Sequence, residues 1–272
     1  MSLVLISTSR SLSTWSSAVG LQHSWGFFNG IRKHVQKMNL LAGFAWKNAA
    51  IILSLGNMIM GLFSIFCSFN RKPNSACWLL LISFLFSLAS GPVARQLGIY
   101  SNFGTKINDF AEYTSFGFAT ALLLMLDGTL SGILAIFYVL AVFYRLCWYS
   151  FEIPFAYQGL PCSYASSLLV STFLLTNGNK LILFGLAVLM MSFMVDKRFY
   201  PNDKTLESQF WKKVVFTLGA MMLWHSLYMT PLYFLIWSSS YIFFPGIWGK
   251  KVIWPPAPEP ANPPESASAF TE

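Results

Sequence analysis

Charged residues are scarce in this chain of 272 residues. Only 10% of the residues are Asp, Glu, Lys or Arg, whereas soluble domains carry about 25%. Hydrophobic residues make up 55% of the chain and aromatic residues 17%. This composition excludes a disordered protein, a coiled coil and a conventional soluble enzyme. It indicates a multi-pass membrane protein, in which Trp and Tyr are available for the two membrane interfaces.

Acidic residues are absent from the N-terminal part of the chain. No Asp or Glu precedes Asp109, whereas nine Lys and Arg residues do. In a soluble protein this imbalance would suggest a nucleic-acid partner. Here no basic stripe alternates with polar structure, so we expect no nucleic-acid binding. The imbalance is typical of loops that face the cytosol and anionic lipid headgroups.

Cysteine and histidine are also rare. The four Cys show no CxxC spacing and lie mostly in apolar runs, and the three His are scattered. We therefore expect neither a disulfide framework nor a metal cluster, and we interpret the cysteines as small buried residues. The four are Cys67, Cys77, Cys147 and Cys162.

The two ends of the chain differ from its apolar middle. Residues 1–46 are Ser-rich and basic, and Ile31–Trp46 has the pattern of an amphipathic helix in the headgroup plane. A mitochondrial transit peptide is the alternative for this segment. The tail is Pro-rich and predicted to be disordered. The predicted domains are an interfacial segment over 1–46, a membrane domain over 47–246 and a cytosolic tail over 247–272.

Apolar runs in the middle predict eight membrane spans, since about 20 residues cross a bilayer. The last run is 31 residues long, so we divide it near Thr230-Pro231 into two short helices. With the N-terminus in the cytosol, fifteen Lys and Arg fall inside and three outside, as the positive-inside rule requires. The predicted spans are 49–69, 75–94, 110–126, 131–149, 164–176, 181–195 and the two halves of 214–244.

One motif carries chemical information. It begins with residues 87–95, SLASGPVAR, and continues through Gly104, Asn108 and Glu112. The spacing resembles the signature of the CDP-alcohol phosphatidyltransferases, D-x2-D-G-x2-A-R-x8-G-x3-D-x3-D. The residues Gly91, Ala94, Arg95 and Gly104 stand at its non-acidic places.

Other short elements resemble the phosphatidylserine synthase branch of that family. The L-G-N-x3-G element corresponds to residues 55–61, and a Ser-Phe-Gly element follows the motif at 115–117. Residues 157–161, YQGLP, are similar to the F-x-G-L-P loop of the branch, and residues 198–201, RFYP, resemble its R-Y-P element. The resemblance covers about residues 49 to 245. It implies an all-α, polytopic membrane bundle with a six-helix core, here followed by two C-terminal helices.

The resemblance also implies a reaction and a cofactor. The family transfers a CDP-linked phosphatidyl group to a hydroxyl and releases CMP. Four Asp residues hold Mg²⁺ or Mn²⁺, because divalent cations must neutralise the pyrophosphate. In this chain the four acidic places read Ser87, Ser90, Asn108 and Glu112. Three carboxylates are missing, so we expect no catalytic residue, no metal cofactor beyond weak binding at Glu112, and loss of the transferase activity.

The retained positions allow two interpretations. Gly91, Ala94 and Gly104 are either contacts to CDP or small residues that let helices pack closely. Arg95 either contacts phosphate or extends to the membrane interface. An acid within a membrane is a functional candidate, but Glu112 is also interpreted as a relic that pairs with Lys106 or Arg95.

The missing carboxylates therefore favour a pseudoenzyme. The family resemblance implies the endoplasmic reticulum as its organelle, and the N-terminal segment raises the mitochondrion as the alternative. Its expected partners are membrane lipid and CDP-diacylglycerol. The protein would bind one of these as a ligand, or would act as a regulator or partner in phospholipid metabolism. An active phosphatidyltransferase with a remodelled site and a structural membrane protein are the two alternatives. The only support for a homodimer is Gly128-x3-Gly132, a small-residue motif that straddles a predicted loop.

Overall fold

A computed structural model of the chain describes residues 48–98, 102–125, 129–148, 156–201, 210–225 and 228–245. The segments predicted as an interfacial helix and a disordered tail lie outside these ranges. The described part is a helical bundle, which confirms the predicted all-α class. Its helices are α1 (Ala49–Phe69), α2 (Pro73–Gln96), α3 (Asn102–Glu112), α4 (Thr120–Leu124), α5 (Thr129–Trp148), α6 (Cys162–Thr176), α7 (Lys180–Val195), α8 (Phe210–Trp224) and α9 (Thr230–Phe243).

The helices correspond to the eight predicted spans. A π-helical stretch, Tyr113–Ala119, joins α3 to α4, so that these three pieces form one continuous segment. By length and composition, α1, α2 and α5 are apolar enough to cross a membrane, and α6 and α7 are shorter apolar helices. The division of the last apolar run is also confirmed, because α9 begins at Thr230 with Pro231 in its first turn.

One predicted loop is helical. The polar stretch from Arg95 to Asn108 was expected to separate the second and third spans, but α3 begins within it, at Asn102. The segment is polar by composition and yet amphipathic at the helical period. Phe103 and Phe110 lie exposed on α3, whereas Asn108 is half-buried. Overall polarity was a poor guide to the structure of this segment.

The cysteines are free, as predicted, but they are not uniformly buried. Cys77 and Cys162 are buried, Cys67 is half-buried, and Cys147 is exposed near the end of α5. The expectation of burial is therefore wrong for Cys147. Its position in an apolar run did not reveal which face of the helix it occupies.

The Ser-rich helix α6 lies at the centre of the bundle. All its residues from Cys162 to Phe173 are buried. Its hydroxyl groups pair with other helices: Ser166 contacts the Thr120 hydroxyl at 2.6 Å, and the Ser238 hydroxyl of α9 donates to Ser167 at 2.9 Å. Such interhelical hydrogen bonds allow a polar helix to lie in a membrane bundle.

The last helix, α9, is attached to this centre by aromatic side chains. The ring of Tyr241 stacks on Tyr164 with centroids 3.8 Å apart. Phe84 of α2 meets Phe234 and Trp237 edge to face. The second of the two additional C-terminal helices is thus part of the packed core.

Two short strands connect loops at one end of the bundle. Strand β1 (Ala156–Gln158) follows α5, and β2 (Phe199–Pro201) follows α7. They pair antiparallel, with Tyr157 opposite Tyr200. The topology prediction assigned both loops to one side of the membrane, and this pairing places them at the same end of the bundle.

A close approach between α1 and the π-helical stretch gives a first testable prediction. A Cβ atom on Gly61 would lie 2.8 Å from the Cα of Ser115, so backbone would have to move. We expect Gly61→Ala to lower the free energy of unfolding by about 1–3 kcal/mol, the usual cost of overpacking. The thermal midpoint of the detergent-purified protein measures the change.

The matched control is Gly132→Ala in α5, where a Cβ would meet no described heavy atom within 4 Å. Alanine in an open helical position is expected to stabilise the helix by about 0.5–1 kcal/mol. The two substitutions should therefore act in opposite directions. Equal shifts would contradict the close approach at Gly61.

Candidate functional site

The four positions that correspond to the family's acidic residues lie together. Ser87 and Ser90 are in the last turns of α2, and Asn108 and Glu112 are in α3. The Ser87 hydroxyl donates to Oε1 of Glu112 at 3.1 Å, and the Ser90 hydroxyl donates to Oδ1 of Asn108 at 3.0 Å. The i, i+3 and i, i+4 spacings keep each pair on one helix face, and the two faces meet.

Asn108 is the centre of this polar network. Its Oδ1 accepts from Ser90 and also from the Ser54 hydroxyl of α1 at 3.1 Å. Its Nδ2 donates to Oε1 of Glu112 at 3.3 Å. The network thus joins three helices, and the Asn108 amide uses both its acceptor and its donor side within it.

The carboxylate of Glu112 has a cation beside it. Nη1 of Arg145, on α5, lies 3.6 Å from Oε2 of Glu112, and their side chains are only 10% and 15% exposed. The Cys162 thiol donates to the same oxygen at 3.2 Å and accepts from Arg145 at 3.6 Å. Pairing of Glu112 with Lys106 or Arg95 was expected, but the described ion pair is with Arg145. Helix packing brings Arg145, which is distant in sequence, to Glu112.

Three members of the site were absent from the sequence-based candidates: Ser54, Arg145 and Cys162. Two signals were available for Arg145. A cation in an apolar span needs a partner, and Glu112 is the first acid within the predicted spans. Arg145-Leu146 also resembles the start of the R-L-A-R-F stretch of the phosphatidylserine synthase branch, although the second basic residue of that stretch is missing. No comparable signal marked Ser54 or Cys162, which are small residues in apolar helices. Their roles follow only from helix packing.

A π-helical stretch begins directly after Glu112. Such stretches occur mostly as short insertions into α-helices, frequently at functional sites. Ser115, on this stretch, is fully buried and donates to the backbone carbonyl of Asn57 at 3.0 Å. The segment that carries Glu112 is therefore fixed to α1 by Ser115 and by the Ser54–Asn108 hydrogen bond.

The four candidate CDP or phosphate contacts surround the network. Gly91 lies four residues after Ser87, and Ala94 lies four residues after Ser90. Gly104 lies four residues before Asn108, and Arg95 is in the last turn of α2. All four are half-buried. Their assignment as nucleotide or phosphate contacts stays a prediction.

The donor set does not fit a two-metal site. Divalent Mg²⁺ and Mn²⁺ prefer carboxylate oxygens, and two of them need several negative ligands. The network offers one carboxylate, Glu112, whose Oε1 already accepts two hydrogen bonds and whose Oε2 faces Arg145. The Ser87 hydroxyl donates to Glu112, and the Ser90 hydroxyl donates to Asn108. In the described part of the chain, no group of three or more His, Cys, Asp or Glu is arranged to hold a metal ion.

The chain was compared with known proteins. The family model for CDP-alcohol phosphatidyltransferases matches residues 47–245. "Transmembrane protein 269" of Mus musculus is 49% identical over 225 residues, 82% of this chain and 89% of that protein. The Homo sapiens protein of the same name is 51% identical over 201 residues, 73% and 99% of the two chains. A "CDP-diacylglycerol--serine O-phosphatidyltransferase" of Helicobacter pylori strain J99 is 27% identical over 188 residues, 63% and 78% of the two chains.

Proposed function

The chain belongs to the CDP-alcohol phosphatidyltransferase family, and from this premise we propose that it is a non-catalytic member that binds lipid. Its ligand is a membrane phospholipid, with CDP-diacylglycerol as the first candidate, and the binding site is the pocket of the motif. It acts as a partner or regulator in phospholipid metabolism at the endoplasmic reticulum. The organelle is inferred from the family resemblance.

The observation that carries this proposal is the ion pair between Arg145 and Glu112. A pyrophosphate held by two dications requires several carboxylates for charge balance. The carboxylate within the hydrogen-bonded network, Glu112, is paired with the Arg145 guanidinium, so this ion pair has no net charge. The surrounding Ser and Asn side chains hydrogen-bond to one another and to Glu112. These hydrogen bonds support a site that does not depend on a metal.

A lipid ligand is supported by the family and by the membrane setting. The motif's small residues, Gly91, Ala94 and Gly104, allow a ligand to approach the helix backbone closely. They lie beside the network rather than within its hydrogen bonds. Ligand binding therefore does not require the network to be broken.

We predict that the purified wild-type protein transfers no phosphatidyl group from CDP-diacylglycerol to serine, inositol or glycerol phosphate. The reason is the loss of three carboxylates at Ser87, Ser90 and Asn108. Release of CMP should stay at the level of the protein-free control with Mg²⁺ or Mn²⁺ present. Glu112→Gln is the matched control. If wild type and Glu112→Gln release the same small amount of CMP, that release comes from a contaminant.

Binding of CDP-diacylglycerol is measured on the same preparation, in chelator and in Mn²⁺. Binding without turnover, with similar affinity in both, supports the proposal. Metal-dependent CMP release that Glu112→Gln abolishes would show an active enzyme with a remodelled site. Absence of binding would favour a structural role, in which the fold serves only as a scaffold.

A further inference from the structure

A cavity lies where α7 and α9 end, and none of its lining residues belongs to the motif. Its volume is about 620 Å³, and we call it the α7–α9 cleft. One side is formed by the segment that leads from α7 into β2, with Asp196, Lys197 and Arg198. The other side is formed by the end of α9, with Ile242 and Phe243. The cleft therefore has a charged side and an apolar side.

The charged side carries two cations and one anion. Nε of Arg198 lies 2.9 Å from Oδ2 of Asp196, with 67% and 42% of the two side chains exposed. The backbone N–H of Lys197 donates to Oδ1 of the same carboxylate at 2.8 Å. Among the described residues, no hydrogen-bond or ion-pair partner is found for the Lys197 ammonium. The described lining residues thus give the cleft a net positive charge and an available ammonium donor.

Arg198 is held in a defined position. Its guanidinium carbon lies 5.6 Å from the centroid of the Phe193 ring, within the range of a cation–π contact. Asp196 binds it at the Nε edge. A guanidinium fixed by a ring and a carboxylate loses less conformational entropy on binding an anion than a free side chain does.

The apolar side continues from the membrane helices. The rings of Phe193, on α7, and Phe243, on α9, meet edge to face with centroids 6.2 Å apart. Phe243 is exposed. Exposed aromatic rings at the ends of helices in a membrane protein suit the membrane interface, beside the headgroups and the first carbons of the acyl chains. A ligand in this cleft can therefore have a polar phosphate and an apolar remainder.

We propose that the α7–α9 cleft binds the phosphate of an anionic phospholipid, with Lys197 and Arg198 as the donors and with the lipid's apolar part against Phe193 and Phe243. This site is separate from the pocket proposed for CDP-diacylglycerol, and it involves α9, which follows the six-helix core. The resident lipid links the end of α7 to the end of α9.

The test titrates the full-length protein in neutral detergent with short-chain phosphatidic acid and counts bound lipid by native mass spectrometry. Short-chain phosphatidylcholine gives the baseline for a lipid of zero net charge. We expect one phosphatidic acid to bind, and the double variant Lys197→Gln, Arg198→Gln to weaken binding at least about tenfold, since charge-assisted hydrogen bonds are lost. Phe193→Leu is expected to weaken it roughly two- to fivefold through loss of the cation–π contact.

The control is Arg71→Gln, Lys72→Gln, which removes another exposed basic pair, from the turn between α1 and α2. It should leave the affinity for phosphatidic acid unchanged. Equal losses in the two double variants would show general attraction of a basic protein to acidic lipid and would overturn the proposal. An unchanged affinity in the Lys197, Arg198 variant would overturn it as well.

A third arm adds millimolar inorganic phosphate. We expect that free phosphate does not displace the bound lipid, because the apolar side of the cleft also contributes to the affinity for lipid. Displacement at equal concentrations would identify a site for free phosphate and would overturn the assignment to lipid. The two double variants alter exposed side chains, so their lipid-free thermal midpoints should equal that of the wild type, which separates loss of binding from loss of folding.

Discussion

The quadruple variant Ser87→Asp, Ser90→Asp, Asn108→Asp, Glu112→Asp is expected to be strongly stabilised by Mn²⁺, whereas the wild type is not. The four side chains already meet, through the Ser87–Glu112 and Ser90–Asn108 hydrogen bonds. Four carboxylates at these places form a cluster of the kind that binds divalent cations. In chelator the same cluster is repulsive, so the variant should then be less stable than the wild type.

The size of the effect follows from ligand linkage. A metal at 100 times its dissociation constant stabilises the folded state by about 2.7 kcal/mol. For a chain of this size, 1 kcal/mol corresponds to roughly 2–4 °C in the thermal midpoint. We therefore expect Mn²⁺ to raise the midpoint of the variant by roughly 5–10 °C, measured in detergent against the same sample in chelator.

A charge-matched control separates a metal site from added charge. The variant Asn74→Asp, Gln96→Glu, Asn102→Asp adds three carboxylates at exposed positions of α2 and α3. It should respond to Mn²⁺ no more than the wild type. If the quadruple variant folds but behaves like this control, the four positions do not form a ligand set and the interpretation of the motif as a degenerate metal site is wrong.

The second large effect is expected at Arg145. Arg145→Met leaves the Glu112 carboxylate in a pocket where it is 15% exposed without the adjacent guanidinium. Removing one partner of a buried pair typically costs about 3–5 kcal/mol, because the remaining charge is uncompensated. We therefore expect a fall of roughly 10 °C in the thermal midpoint.

The double variant Arg145→Met, Glu112→Gln removes both charges and should recover most of that loss. Arg198→Met is the control for an exposed pair, since Arg198 and Asp196 are 67% and 42% exposed. Exposed pairs contribute about 0–1 kcal/mol, so its midpoint should barely change. Similar shifts for Arg145→Met and Arg198→Met would mean that the buried pair does not stabilise the fold.

The sequence predicted the architecture because the signals for it are local. Apolar runs of membrane length predicted eight helical segments, and Pro231 marked the division of the last run. The family was predicted from residue spacing, and the family model confirms it over residues 47–245. Spacing of three and four residues also predicted that Ser87 and Ser90 share a face, as do Asn108 and Glu112, because helix geometry fixes such pairs.

Some local signals were misleading. The polar composition of residues 95–108 predicted a loop, although an amphipathic helix has the same composition. The apolar surroundings of Cys147 predicted burial, although in a membrane protein the apolar residues also cover the lipid-facing surface. Composition averages over both faces of a helix and therefore does not distinguish inside from outside.

Thus the sequence by itself determined that this is a helical membrane protein of a known family, in which three of four expected carboxylates are missing. Only the tertiary structure decided which side chains surround the remaining carboxylate, Glu112. Arg145 and Cys162 reach Glu112 from α5 and α6, which are distant from it in sequence. Ion pairs between helices depend on how the helices pack, and packing is a property of the whole bundle that no local pattern encodes.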